Sequence, residues 1–202
     1  MYAADMLVFM RHGQREDQLL GEKQSDPRLT AAGYRDAQAS AEGFIDWVRS
    51  QLPQGGPVKV IVTLVTSPYT RCVETANGVA RGLRSYRDEE GIMTVEVNPQ
   101  VIIDHSIGEI NNSEKLGPFG PVSLTGPWSL DPGLQPLVTG VAPVFGESNQ
   151  DGRRRFQVSL QAAFAAQSQQ RSCYRPNRRE EFQGSEVRVT WMVTHGDALD
   201  AA

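Results

Sequence analysis

The chain has 202 residues, enough for one α/β domain with a full core and a squeeze for two. Apolar residues make up 39% and charged residues 22%, an ordinary soluble composition, and the net charge of −4 weighs against a nucleic-acid partner. Cys72 and Cys173, the only two cysteines, lie far apart in no metal-like spacing, which points to free thiols in a reducing compartment.

The apolar run Met6–Met10 reads as a strand, too short for a signal peptide and without a basic region before it. Nothing in the chain approaches a membrane span, so a cytoplasmic protein with no membrane partner is expected. Tyr34, Ala37, Ala41, Phe44, Val48 and Leu52 then recur at three- and four-residue steps after Thr30, the pattern of a helix with Thr30 as N-cap. Val58–Thr66 is nearly continuous in apolar and β-branched residues, as in a parallel strand covered on both faces. Val73, Ala76, Val79, Ala80 and Leu83 predict a second helix, with Ser67 as N-cap and Pro68 at its first helical position. Met93–Val97 is a third strand, Arg153 to about Gln169 a third helix with Phe156, Leu160, Ala163 and Phe164 inward, and Val187–Thr194 a fourth strand. Between them, 111–151 is rich in Pro and Gly without a period and reads as a lid or insertion, and 171–184 as a polar loop. The expected fold is a single α/β domain over 1–202, a doubly wound, mostly parallel sheet with helices on both faces.

Ligands of open α/β sheets bind beyond the carboxyl ends of the strands. The first strand delivers Arg11-His12-Gly13 there, the second leads to Arg71, the third to Asp104-His105, and the fourth to His195-Gly196. All three histidines of the chain therefore fall at strand exits. This set suits phosphoryl transfer. Guanidinium groups at Arg11 and Arg71 match the charge and geometry of a phosphate. A neutral His12 can attack phosphorus, and two nearby arginines disfavour its protonation. The glycine after each histidine would let the backbone approach the phosphate. The leaving oxygen needs a proton, for which Asp104 is the first candidate and Glu109 the second. Plainer roles sit beside these: Arg71 in a surface salt bridge to Glu74 or Glu42, Asp104 as a loop cap, His105 as a loop residue, Cys72 as packing, and Arg153-Arg154-Arg155 as a solvated helix start.

"RHG" after a strand, "DPRLTAAG" leading into a helix, "SPYTRCVETA" and "VTHGD" resemble, in order, the motifs of the histidine phosphatase superfamily, the phosphoglycerate-mutase-like fold. The resemblance runs from about Met6 to Asp197 and covers the proline-rich middle poorly. It implies His12 as the phosphorylated nucleophile and Arg11, Arg71 and His195 as the phosphate pocket. "IIDHSIG" matches the family's acid motif with Asp104 in place of Glu, which leaves Glu109 as the alternative donor. "RHGQRED" and "GESNQDGRRRFQVSL" look most like the phosphatase domain of the ubiquitin-associated, SH3-containing phosphatases (the suppressors of T-cell receptor signalling).

The resemblance implies a phosphomonoesterase acting on a small-molecule or phosphopeptide substrate, with no cofactor and no metal. A phosphoglycerate-type mutase and a weakly active phosphate-binding scaffold are the alternatives, and a metallohydrolase using the three histidines is the competing chemistry. Gln14 to Gln18 do not reproduce the mutase pattern, and Gln14 and Gln18 are candidate substrate contacts. Family members normally continue past the second histidine with a further helix and strand. This sequence stops at Ala202, so either a tail lies outside it or the fold is trimmed. Oligomeric state is open.

Overall fold

A computed structural model describes residues 3–21, 23–51, 56–88, 90–116, 122, 124–173 and 184–199. Strands β1 (Ala3–Arg11), β2 (Val58–Thr66), β3 (Met93–Val97), β4 (Gln100–Asp104), β5 (Gln135–Thr139) and β6 (Ser185–Thr194) form one 6-stranded sheet in the order β1-β6-β2-β4-β5, with β3 beside β2. Every pairing is parallel. Between the strands lie helices α1 (Glu16–Leu20), α2 (Ala31–Gln51), α3 (Thr70–Ser85), α4 (Ser113–Leu116), α5 (Asn149–Cys173) and α6 (Gly196–Leu199).

Strand alternation sorts the core into two layers. Val60, Val62 and Leu64 of β2 and Val187, Val189, Trp191 and Val193 of β6 face α2 and α3, where Ala37, Ala41, Ile45, Val73, Ala76 and Val79 are buried with them. Val65 and Met192 point the other way and meet Leu160 of α5. The sheet is therefore doubly wound, as expected.

β3 and β4 take successive stretches of the same edge of β2. β3 pairs with Val58–Val62 and β4 with Val65 and Thr66. Between them Asn98 still donates to the Val62 carbonyl at 2.8 Å, whereas Pro99 has no N–H to give and the register slips there. β4, not β3, carries the chain to Asp104. β4 and β5 were not among the strands expected. The segment 111–151 holds α4 and β5, with 117–121 and 123 outside the described residues.

Thr30 is the N-cap of α2, its Oγ1 accepting from the Gly33 N–H at 2.9 Å, and Leu52 lies outside the described residues. α3 corrects its expected cap. It starts at Thr70, and Asp26 from a distant loop accepts from the Thr70 N–H at 2.9 Å and from its hydroxyl at 2.7 Å. Ser67 is left free for another role. α5 begins earlier than expected, capped by the Ser148 hydroxyl, which accepts from the Asp151 N–H at 3.1 Å. Phe164 is not inward but 50% exposed, against Phe9 at a ring distance of 6.1 Å. The expected polar loop 171–184 begins as the last turn of α5, and 174–183 lie outside the described residues. No helix among the described residues is long and apolar enough to cross a membrane.

Candidate active site

The β1–β6 ladder sets two histidines side by side. Arg11 pairs with Thr194, and the His12 N–H extends the ladder by donating to the Thr194 carbonyl at 3.0 Å. The rings of His12 and His195 then stand 5.6 Å apart, close to edge-on. The His12 Nδ1 lies 2.9 Å from the Gly13 carbonyl oxygen. A carbonyl only accepts, so Nδ1 carries the proton and Nε2 keeps its lone pair. Burial pushes the His12 imidazole down to about 3, helped by His195, Arg71 and Arg11 and opposed by the Gly13 carbonyl. His12 is uncharged at neutral pH.

Gly13 has a packing reason of its own. A Cβ on it would lie 2.6 Å from the Gly33 carbonyl oxygen, and a Cβ on Gly33 would lie 2.5 Å from the Gln14 nitrogen. The two glycines let the β1 exit press backbone to backbone on the first turn of α2. The Gly13 N–H donates to Thr75 Oγ1 on α3 at 3.0 Å, so the segment that carries His12 is tied to both helices. Gln14 is exposed, with its Oε1 accepting from the Thr30 hydroxyl at 3.0 Å. Gln18 is exposed too, and its Oε1 accepts from the Arg15 N–H at 3.0 Å, closing the first turn of α1.

Arg71, in the first turn of α3, is 2% exposed. Its Nη1 lies 3.4 Å from Asp26 Oδ1 and its Nη2 3.3 Å from Glu109 Oε2, over the Tyr69 ring at 4.6 Å. Its Nε is buried without a hydrogen-bond partner. The surface pairing with Glu74 or Glu42 is not formed; Glu74 instead holds Arg28 at 2.7 Å. Arg11 is exposed, and a Cβ on Gly196 at the start of α6 would lie 3.6 Å from its Nε.

His195 is fully buried at the exit of β6. Its Nε2 is 2.8 Å from Ser67 Oγ, and its Nδ1 is 3.2 Å from Arg71 Nη2 and 3.3 Å from Glu109 Oε2. Burial lowers its affinity for a proton, with Arg71 adding to the effect and Glu109 opposing it. Glu109 is buried as well, and its Oε1 accepts from the Ile110 N–H at 3.1 Å. Burial alone would raise its carboxyl, but His195 and Arg71 outweigh burial and hold it below the usual carboxylate range.

Glu109 thus stands in the cluster, and Asp104 does not. Asp104 Oδ1 accepts from the Ser106 N–H at 2.9 Å and from its hydroxyl at 2.6 Å, capping the 3-10 turn His105–Ile107. His105 meets the Trp128 ring edge-on at 6.2 Å, and among the described residues no three His, Cys, Asp or Glu side chains converge as metal ligands. Cys72 packs 3.6 Å from His195 Nε2, its thiol pushed up to about 12 by burial.

Ser67, Asp26 and Tyr69 join the cluster without having been expected in it, and Arg155 braces it and is no solvated helix start. It pairs with Glu147 at 2.6 Å and donates to the carbonyls of Ser106 at 2.7 Å and Gly108 at 3.0 Å. That strut fixes the turn from which Glu109 projects. Ser67 was open to the same strand-exit argument that found Arg71. Asp26 and Arg155 act across distances that no local pattern reports.

Residues 7–98 match the model of the histidine phosphatase superfamily (branch 1), a stretch that carries Arg11, His12, Asp26, Ser67 and Arg71. No curated protein matches. Among solved structures, a mutant phosphoserine phosphatase from Entamoeba histolytica in complex with phosphoserine is 15% identical, covering 98% of this chain and 77% of that one at a TM-score of 0.40.

Proposed function

We propose that the chain is a phosphomonoesterase of the histidine phosphatase type, working through a phosphohistidine on His12. The observation that carries this reading is the state of that imidazole. It is uncharged, its proton is fixed on Nδ1 by the Gly13 carbonyl, and its Nε2 is bare beside Arg71 and His195.

In the first step His12 Nε2 attacks phosphorus and the ester P–O bond breaks, while Arg11, Arg71 and His195 stabilise the charge on the transferred oxygens. Glu109 gives its proton to the leaving oxygen. Water then attacks the phosphohistidine, the P–N bond breaks, the water's proton goes to Glu109, and inorganic phosphate leaves with His12 restored. Glu109 is the better donor than Asp104 because it shares Arg71 and His195 with the phosphate pocket, whereas Asp104 is spent on a turn. An ionised Glu109 in the free enzyme fits this role. A bound phosphate dianion matches the charge of Arg71, loosens its hold on the carboxyl and repels the carboxylate, so the proton is taken up together with the substrate.

The test is p-nitrophenyl phosphate turnover by His12→Ala, beside alkaline quench of the wild type with labelled substrate. Turnover is expected to vanish and protein-bound label to disappear with it. Near-normal activity of the variant refutes the mechanism. Substrate choice is read from a panel of phosphotyrosine peptides, phosphosugars and nucleotides, with phosphate release scored against isomer formation on phosphoglycerates.

A further inference from the structure

Glu109 lies beyond the 3-10 turn, between β4 and α4, and no regular element carries it. Its place is set by what holds its backbone. Four successive carbonyls, Ser106 to Glu109, each accept from a donor elsewhere in the fold. The Ile107 carbonyl accepts from the Thr194 hydroxyl of β6 at 2.9 Å. The other three share one guanidinium. Arg155, in the second turn of α5, donates through Nη1 to Ser106 at 2.7 Å and Gly108 at 3.0 Å, and through Nη2 to Glu109 at 3.4 Å. The Ser159 hydroxyl adds only a long contact of 3.5 Å to the Ser106 carbonyl.

The remaining N–H groups of Arg155 go to Glu147, which stands just before the Ser148 cap of the same helix. Nη2 donates to Oε1 at 2.6 Å and Nε to Oε2 at 3.2 Å. All five donors of the guanidinium are thus used. Glu147 continues the frame past the acid, since its Oε1 also accepts from the Asn111 N–H at 2.8 Å. Its own carbonyl accepts from the Asn112 side chain at 3.0 Å. One bidentate pair therefore grips the backbone before and after Glu109. Both side chains are largely buried, with the guanidinium 4.7 Å from the centre of the Phe156 ring. Their charges cancel, so the pair sets where the carboxyl stands without adding net charge to the site.

We propose that Arg155 and Glu147 are positioning residues for the proton transfer: they hold Glu109 at the leaving oxygen while the phosphate engages Arg71 and His195. Inside the site the Glu109 carboxyl meets only those two side chains, each at 3.3 Å, and the Ile110 N–H at 3.1 Å. Both side chains also face the phosphate, so the frame from α5 is the hold that substrate does not compete for. The kinetic part of this inference rests on Glu109 as the proton donor in the proposed function; the frame itself does not.

The test compares wild type with Arg155→Lys, which keeps the charge and loses the fork, on an alkyl phosphate and on p-nitrophenyl phosphate, beside amide hydrogen exchange of Asn111. Arg155→Lys should lower kcat on the alkyl phosphate on the order of 10–10²-fold, the scale of a displaced catalytic group, with KM changed less than about twofold. On p-nitrophenyl phosphate, whose leaving group needs no proton, kcat should stay within about threefold. Arg154→Met, at the exposed neighbour, should leave both substrates unaffected. A merely structural role would lower both substrates alike; that result, or no change on either, overturns the proposal. Should Arg155→Lys not fold, Arg155→Leu joined to Glu147→Leu removes both charges together and is held to the same criterion. In the wild type the Asn111 amide should be protected like a sheet amide. Exchange at the rate of an exposed loop overturns the frame without any variant. Glu109→Gln separates the two readings: if its own loss does not depend on the leaving group, the acid assignment falls, and the exchange result alone decides the frame.

Discussion

Burying an uncharged histidine in a charged site ties its protonation to folding, and the size of that linkage is measurable. His12 moves from an ordinary 6.5 to about 3 on folding. Between these values the unfolded chain holds a proton that the folded chain lacks, so stability rises with pH across the window. The His12 contribution is complete above 6.5 and is lost progressively as pH falls towards about 3. At about pH 5 the loss is about 2 kcal/mol, at ~1.36 kcal/mol per pH unit. His195 is shifted in the same direction and adds its own loss, so His12 must be isolated by difference. Glu109 contributes with the same slope but lower down: its stabilisation is present above the ordinary 4.5 and is lost as pH falls below it. The perturbation is His12→Gln, which keeps a polar side chain and cannot titrate. The assay is urea unfolding of both proteins at about pH 7.5 and about pH 5. The wild type should lose about 2 kcal/mol more than the variant between the two conditions. Comparing differences removes whatever the substitution does to packing. Equal losses would refute the reasoning, because His12 would then titrate alike folded and unfolded, and burial would not be what keeps it uncharged.

Arg71→Met should lower turnover on the order of 10²–10³-fold, as for one preorganised donor. It also leaves Asp26 and Glu109 without their cation and should cost roughly 3 kcal/mol in urea unfolding; an unchanged midpoint would mean that Arg71 does not neutralise them. Glu109→Gln should slow hydrolysis of an alkyl phosphate on the order of 10²–10⁴-fold and of p-nitrophenyl phosphate much less, because a good leaving group needs no proton. Asp104→Ala should keep kcat and lose about 1 kcal/mol of stability with its cap; the opposite ranking of these two variants would return the donor role to Asp104. Gly33→Ala places a Cβ 2.5 Å from the Gln14 nitrogen and should destabilise by about 1–3 kcal/mol. Gly43→Ala on the same helix meets nothing within 4 Å and should stabilise by roughly 0.5–1 kcal/mol; like effects of the two on thermal unfolding would dismiss the backbone clasp.

The fold was legible where one periodicity ran unbroken. β2 and β6 are continuous apolar strands covered on both faces, and α2 and α3 carry single apolar stripes, so their existence follows from burial alone. β4 and β5 were harder to see for a physical reason. β4 is five residues long and starts just after Pro99, and β5 contains Pro136 in an exposed position. Such short strands are fixed by the neighbour they pair with, and their own sequences hold little pattern. The cap of α3 was misread on the same account. Ser67-Pro68 carries the local signal of a helix start, but Asp26 supplies the acceptor from across the fold.

The site divides along the same line. Arg11, His12, Arg71 and His195 were readable because a parallel sheet sends successive strand ends to one edge, and knowing the strands is enough to know what meets there. Which carboxylate joins the cluster was not readable from spacing, since Asp104 and Glu109 differ by little along the chain. What separates them is the turn His105–Ile107. Asp104 is consumed in starting it, with both Ser106 donors bound to one carboxylate oxygen. Beyond the turn the chain reaches Glu109, whose backbone is braced by Arg155 from α5. A carboxylate that caps a turn has one oxygen taken by the turn and stays where the turn holds it. One that leaves the turn can share an arginine and an imidazole with a phosphate. Which carboxylate reaches Arg71 and His195 is therefore decided by which one the turn needs, and an aspartate at 104 suits that need because its short side chain reaches the N–H two residues on. An aspartate at 104 makes sense as this cap, and it leaves Glu109 as the carboxylate beside Arg71 and His195.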